Sequence, residues 1–159
     1  MKNDLSKKIE ELSLINDEWG GIDKKIVMLV AALNLSGVKT SISCAGHVDR
    51  SFPFPYVTFR GSRRTVEKFL SEFYKNRRVK KDIRINIYKG KAGFWLYSGA
   101  GFLVWKKKVQ EKAKKISEGK KVESHNRTRE EKLKIKVKLL CYQKEMNEFA
   151  KFLEYKING

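Results

Sequence analysis

Ten consecutive residues of this 159-residue chain, Ser41-Ile42-Ser43-Cys44-Ala45-Gly46-His47-Val48-Asp49-Arg50, hold one of its two cysteines and one of its two histidines. A thiol beside an imidazole can act as a nucleophile with its base, because a neighbouring imidazolium lowers the thiol pKa. The same pair is also half of a zinc site. His125 and Cys141 would complete a Cys2His2 set, but their offsets match none of the usual paired spacings, so no metal is expected. In a third reading the turn works without covalent chemistry: Ser43, His47 and Asp49 position a ligand, and the Ala45-Gly46 amides face an anion. A strand-end cysteine that is merely buried is the fourth. Ser43, Cys44, His47 and Asp49 are the catalytic candidates.

A second junction, Ser98-Gly99-Ala100-Gly101, stands where a strand should hand over to a helix. Glycines there admit close backbone approach and leave helix N-terminal amides open to a phosphate or carboxylate, so Gly46, Ser98, Gly99 and Gly101 are the cofactor-binding candidates. The run is only a fragment of a dinucleotide fingerprint, and a tight turn capped by Ser98 is the competing reading. A third feature is the alternation of basic and aromatic residues: Tyr74, Arg77 and Arg78, then Arg84, Tyr88, Lys89, Lys91 and Trp95. Cations hold phosphates and an exposed ring stacks on an unpaired base; Trp95 and Tyr97 could instead belong to a core.

Elements that would position these groups follow from periodicity. Leu5, Ile9, Leu12 and Ile15 suggest a short amphipathic helix in an N-terminal appendage, residues 1–19. After Gly20-Gly21, Asp23 favours a helix carrying Ile22, Ile26, Leu29, Val30 and Leu33, stopped by Gly37. Val38, Thr40, Ile42 and Cys44 alternate as the apolar side of a strand. Prolines at 53 and 55 keep the chain extended into a strand over 56–59. Ser62 is a plausible N-cap for a helix burying Val66, Phe69, Leu70 and Phe73. Ile83, Ile85 and Ile87 alternate into a hairpin whose loop spans 89–93 and whose return strand is 94–97.

The next helix carries Phe102, Trp105, Val109, Ala113 and Ile116 on one face and Lys106, Lys107, Lys108, Lys112, Lys114 and Lys115 on the other. Residues 118–130 read as a mobile basic loop. Leu133, Ile135, Val137 and Leu139 alternate with four lysines, the pattern of a half-exposed strand, and a final helix buries Tyr142, Met146, Phe149, Leu153 and Ile157. The mixture predicts a single α+β domain over 1–159, with a mixed or antiparallel sheet and several packed helices.

Composition sharpens the partner. The net charge is +18, and residues 61–141 alone hold 25 basic against 8 acidic residues. Such a concentrated field attracts polyanions by counterion release, so RNA is the expected partner, and Arg63, Arg64, Arg77, Arg78, Lys80, Lys81, Arg84, Lys106, Lys107 and Lys112 are the expected phosphate contacts. A lysine-rich surface that only solvates is the alternative. The longest apolar run, residues 26–33, is far short of the roughly 20 that span a bilayer, and the N-terminus lacks a signal-peptide pattern, so a cytoplasmic protein with no membrane contact is expected.

The run Gly21-Ile22-Asp23, Ile26-Val27, Leu29-Val30, Leu33-Asn34, then Thr40-Ser41-Ile42-Ser43-Cys44-Ala45-Gly46-His47, resembles small uncharacterised proteins with a Thr-x-x-Ser-Cys-x-Gly-His signature. More distantly it resembles the tRNA wybutosine-synthesis methyltransferase family, whose motif reads Ser-Ser-Cys-Ser/Ala-Gly-Arg after a similar helix. Ser43, Cys44, Ala45 and Gly46 match; Ile42 replaces the first serine and His47 the arginine. The resemblance implies S-adenosylmethionine as cofactor, tRNA as partner and methylation of a modified guanosine. Against it stand two readings from the residues alone: a small-ligand-binding protein or enzyme using the 43–49 turn, and an architectural nucleic-acid binder.

Overall fold

The computed structural model describes residues 2–15, 22–49, 51–122 and 126–159. Helix α1, Lys2–Ser13, and helix α2, Val27–Leu35, lead into strand β1, Lys39–Cys44, and strand β2, Tyr56–Arg60. Helix α3, Arg63–Tyr74, precedes the hairpin of β3, Ile85–Lys89, and β4, Phe94–Ser98. Helices α4, Gly101–Ser117, and α5, Arg129–Asn158, complete the chain. The four strands form one antiparallel sheet in the order β1-β2-β4-β3. This is the expected α+β fold.

Strand alternation gives the sheet two faces. Val57, Phe59, Ile85 and Leu96 turn toward one, where they join buried Leu29, Val30, Leu33, Val66, Met146, Phe149 and Leu153 in the main core. Leu5 and Leu12 seal the far side of α2, so α1 is part of that core rather than an appendage. The opposite face pairs Tyr56 with Tyr97 and Thr58 with Trp95, and Tyr88 lies beside Trp95. It is covered only in part, by residues 52–54 and the first turns of α4, through Phe52, Phe54, Phe102 and Trp105. Gly37 does close α2, at φ +86.

Five further sequence expectations are corrected. Residues 133–139 are not a strand: they are the first half of α5, whose N-terminus is fixed by a capping box between Thr128 and Glu131. Their period-2 apolar pattern spreads around the helix, so Leu139 is buried while Leu133 (63 % exposed), Val137 and Leu140 face solvent. On α4 only Phe102 is buried, and Val109 and Ile116 stay exposed because the helix projects beyond the sheet. Ser62 adopts left-handed backbone (φ 54) and makes no cap bond. Ile42 is 61 % exposed, because β1 is irregular between Thr40 and Ser43 and the Thr58 hydroxyl bonds both the Ile42 N–H and its carbonyl. The basic segment before α5 is also shorter than expected, and Arg127 within it is anchored. Among the described residues no helix is long and apolar enough to cross a membrane.

Candidate nucleic-acid interface and the motif turn

The turn after β1 is fixed by three kinds of contact. Gly46 has φ +91, and a Cβ on it would lie 2.5 Å from Leu139 Cδ1 and 3.1 Å from the Phe54 carbonyl carbon, so only glycine fits. The His47 N–H donates to the Phe52 carbonyl at 2.8 Å, closing the loop. Its other carbonyls point to the α5 side: Gln143 Nε2 donates to Ala45 O at 2.7 Å, and the Arg127 guanidinium donates to the carbonyls of His47, Val48 and Ser51. Arg127 also lies 5.2 Å from the Trp105 ring centroid, which ties the turn to α4.

This geometry does not assemble a nucleophile and base. The Cys44 thiol accepts the Gly46 N–H at 3.3 Å, and no hydrogen bond links it to the His47 imidazole. Burial pushes the thiol pKa up, and Asp23 adds to that, against the lowering effect of the Gly46 N–H. The thiol is therefore held protonated, the reverse of an activated cysteine. The Gly46 amide, expected to face an anion, is spent on this sulfur. Asp49 is 78 % exposed and pairs with Lys132 at 3.5 Å. Ser43 lines a separate groove of about 420 Å³ between β1 and helices α1 and α2, with Thr40 and Asn34. Among the described residues no group of three or more His, Cys, Asp or Glu side chains could hold a metal, and His125 lies outside them.

The two glycine turns do meet, across Phe54. A Cβ on Gly99 (φ +106) would lie 2.6 Å from Phe54 Cδ1, while the backbone of the same residue lies against Gly46. The junction is packing rather than an anion cradle. Ser98 Oγ donates to the Ile83 carbonyl, and the Ala100 N–H donates to both the carbonyl and Oδ1 of Asp82, at 3.0 and 3.2 Å. A carboxylate of the chain itself thus meets the positive end of α4. Tyr142 donates its hydroxyl to Asp82 Oδ2 at 3.1 Å, and burial together with that carboxylate pushes its pKa up to about 12. Asp82 escaped the sequence reading, although it is the one acid between Glu72 and Glu111 in a strongly basic stretch.

No family model, curated protein or solved structure matches this chain. What the chain can do is therefore read from its own surface.

The half-covered sheet face carries the aromatics. Tyr56 and Trp95 are in ring contact at 4.7 Å, Phe52 sits 5.8 Å from Tyr56, and all three are half-buried, as is Tyr88. Tyr97 is buried under Phe102 at 4.2 Å and is a core residue. Lys106 Nζ lies 3.4 Å from the Trp95 ring centroid, and its partial burial there lowers its pKa. Beyond it, α4 exposes Lys107 and Lys112.

The other basic candidates divide by position. Arg64, Arg78, Lys80 and Lys81 are exposed. Arg63 is bonded to Glu67 and Arg84 lies over the Tyr74 ring at 4.3 Å. Arg77 is committed to buried Glu145, and Tyr74 is likewise structural, donating to Glu145 and accepting the Ile85 N–H.

Proposed function

We propose that the protein binds RNA, with tRNA as the preferred class, through the half-open face of its sheet. The observation that carries this reading is the grouping of Phe52, Tyr56, Tyr88 and Trp95 on that face with Lys106 against it and the lysine-rich side of α4 beside it. Half-exposed rings offer stacking platforms to unpaired bases, which RNA loops present and a closed duplex does not. A base arriving on Trp95 displaces the Lys106 ammonium, whose long stem lets it swing to the adjoining phosphate.

The test compares affinity for bulk tRNA and for duplex DNA of matched length across a salt series. A steep salt slope with preference for tRNA is expected, and Trp95→Ala should weaken tRNA binding by about 1–3 kcal/mol, the usual cost of one lost stacking partner. Equal weak binding to both nucleic acids at physiological salt would sink the reading. Methyl transfer rests on the resemblance of the helix-and-motif stretch that runs from Gly21 to His47. Calorimetric titration with S-adenosylmethionine decides it, and absence of binding removes that activity while leaving RNA binding in place.

A further inference from the structure

A small cleft of about 210 Å³ opens between residues 53–54, the start of α4 and the outer side of α5. Phe54 and Tyr142, with ring centroids 5.7 Å apart and planes tilted by 30°, form one aromatic wall. Pro53 and Ile135 extend the apolar lining, and among the described residues two charged groups reach it, Asp82 and Lys138. Clefts that take a drug-sized ligand run to roughly 300–1,000 Å³, so this one suits a single planar ring system rather than a large cofactor.

The carboxylate at the cleft is held in place. Asp82 Oδ1 takes the Ala100 N–H and Oδ2 takes the Tyr142 hydroxyl, which leaves further acceptor capacity on each oxygen. An orientated acceptor pair beside an aromatic wall recognises a flat ligand that donates N–H groups from its edge. Lys138, at the cleft's margin, supplies a cation for an attached phosphate.

We propose that this cleft binds a nucleotide whose base bears an amino group, with the ring against Phe54 and Tyr142, the amino edge on Asp82 and the phosphate at Lys138. Uracil is disfavoured, because it has no amino group and sets carbonyl oxygens on both sides of its single ring N–H, facing the carboxylate. The inference deepens the RNA reading and rests on it for the source of the nucleotide. Phe102, itself buried, contacts both Phe52 on the sheet face and Phe54 in the cleft wall, at 5.8 and 6.1 Å, so one aromatic cluster backs both surfaces.

The probes are AMP, CMP, GMP, UMP, adenosine and ribose 5-phosphate, titrated into the full chain and followed by NMR. AMP, CMP and GMP should shift the Phe54 and Tyr142 ring signals, with UMP and ribose 5-phosphate at least tenfold weaker. Ile135→Trp, which fills the cleft without touching Asp82, should abolish the shifts with unchanged far-UV circular dichroism. Should that variant unfold, Lys138→Ala on the exposed surface serves in its place: it should remove the advantage of AMP over adenosine.

Equal binding of UMP, or shifts that survive Ile135→Trp in a folded protein, overturns the inference. The two proposals fail separately. Trp95→Ala should weaken tRNA binding and leave AMP binding unchanged. AMP binding in a protein that ignores tRNA would retain the cleft with a free nucleotide as its ligand, and tRNA binding without base discrimination would retain the interface and remove the cleft.

Discussion

The Cys44 thiol shows how far a residue type is from a role. In sequence it sits three positions from a histidine, but the chain turns at Gly46 so that the sulfur meets an amide and burial holds it protonated. Its pKa is raised, so at pH 8 the reactive thiolate is scarcer than in an ordinary cysteine. Iodoacetamide should therefore modify exposed Cys141 first and Cys44 much more slowly, with mass spectrometry of the two peptides as the readout; faster labelling at Cys44 would restore the nucleophile reading. Gly46 is the residue on which the turn depends. Gly46→Ala places a Cβ against Leu139 and the Phe54 backbone at a left-handed φ. Strain of about 1–2 kcal/mol adds to the cost of overpacking, so urea denaturation should show a loss of about 2 kcal/mol or more.

Elements were legible in the sequence where one periodicity ruled, and misleading where two competed. The Ile83–Ile85–Ile87 alternation and the 89–93 loop gave the hairpin, and Val66 and Leu70 gave the buried face of α3, although Tyr74 completes it where Phe69 and Phe73 were expected and these two are only half-buried. Residues 132–139 failed because lysine at every second position imitates a strand, whereas the Thr128–Glu131 capping box and the continuing pattern from Tyr142 onward commit the segment to helix. The site was legible only as residue types, since Asp82, Arg127 and Gln143 reach their partners across long stretches of chain.

The same distance hides the clamp between elements: Glu145 on α5, 2 % exposed, binds Arg77 just after α3, and Tyr74 of α3, which in turn accepts the Ile85 N–H of β3. Removing either partner of the ion pair is costly, but not equally. Glu145→Ala leaves an arginine that is 31 % exposed and can rehydrate, whereas Arg77→Ala leaves a carboxylate buried with only a tyrosine hydroxyl. Arg77→Ala should therefore destabilise more, by about 3–5 kcal/mol against about 2–3 for Glu145→Ala, an order that chemical denaturation of both variants will check.

At the scale of the whole molecule the charge acts on folding and binding with opposite signs. A net charge of +18 on 159 residues, with +17 of it between residues 61 and 141, makes the compact state repel itself, since the described ion pairs are few and mostly exposed. Added salt screens that repulsion over a Debye length that falls from about 30 Å at 0.01 M to about 8 Å at 0.15 M, so the midpoint of thermal unfolding should rise with sodium chloride. Polyanion binding draws on the same field through release of condensed counterions, so tRNA affinity should fall over that range, with a log–log slope of about −0.7 for every phosphate engaged on a single strand. Reversing Lys106, Lys107 and Lys112 to glutamate separates the two effects. The variant should lose part of its salt-induced gain in stability, because the repulsion it relieves was intramolecular, and its tRNA slope should flatten by about 2 if the three lysines each hold a phosphate. A flattened stability response with an unchanged tRNA slope would mean that these lysines act on the fold's own field and that the nucleic acid lies elsewhere on the molecule.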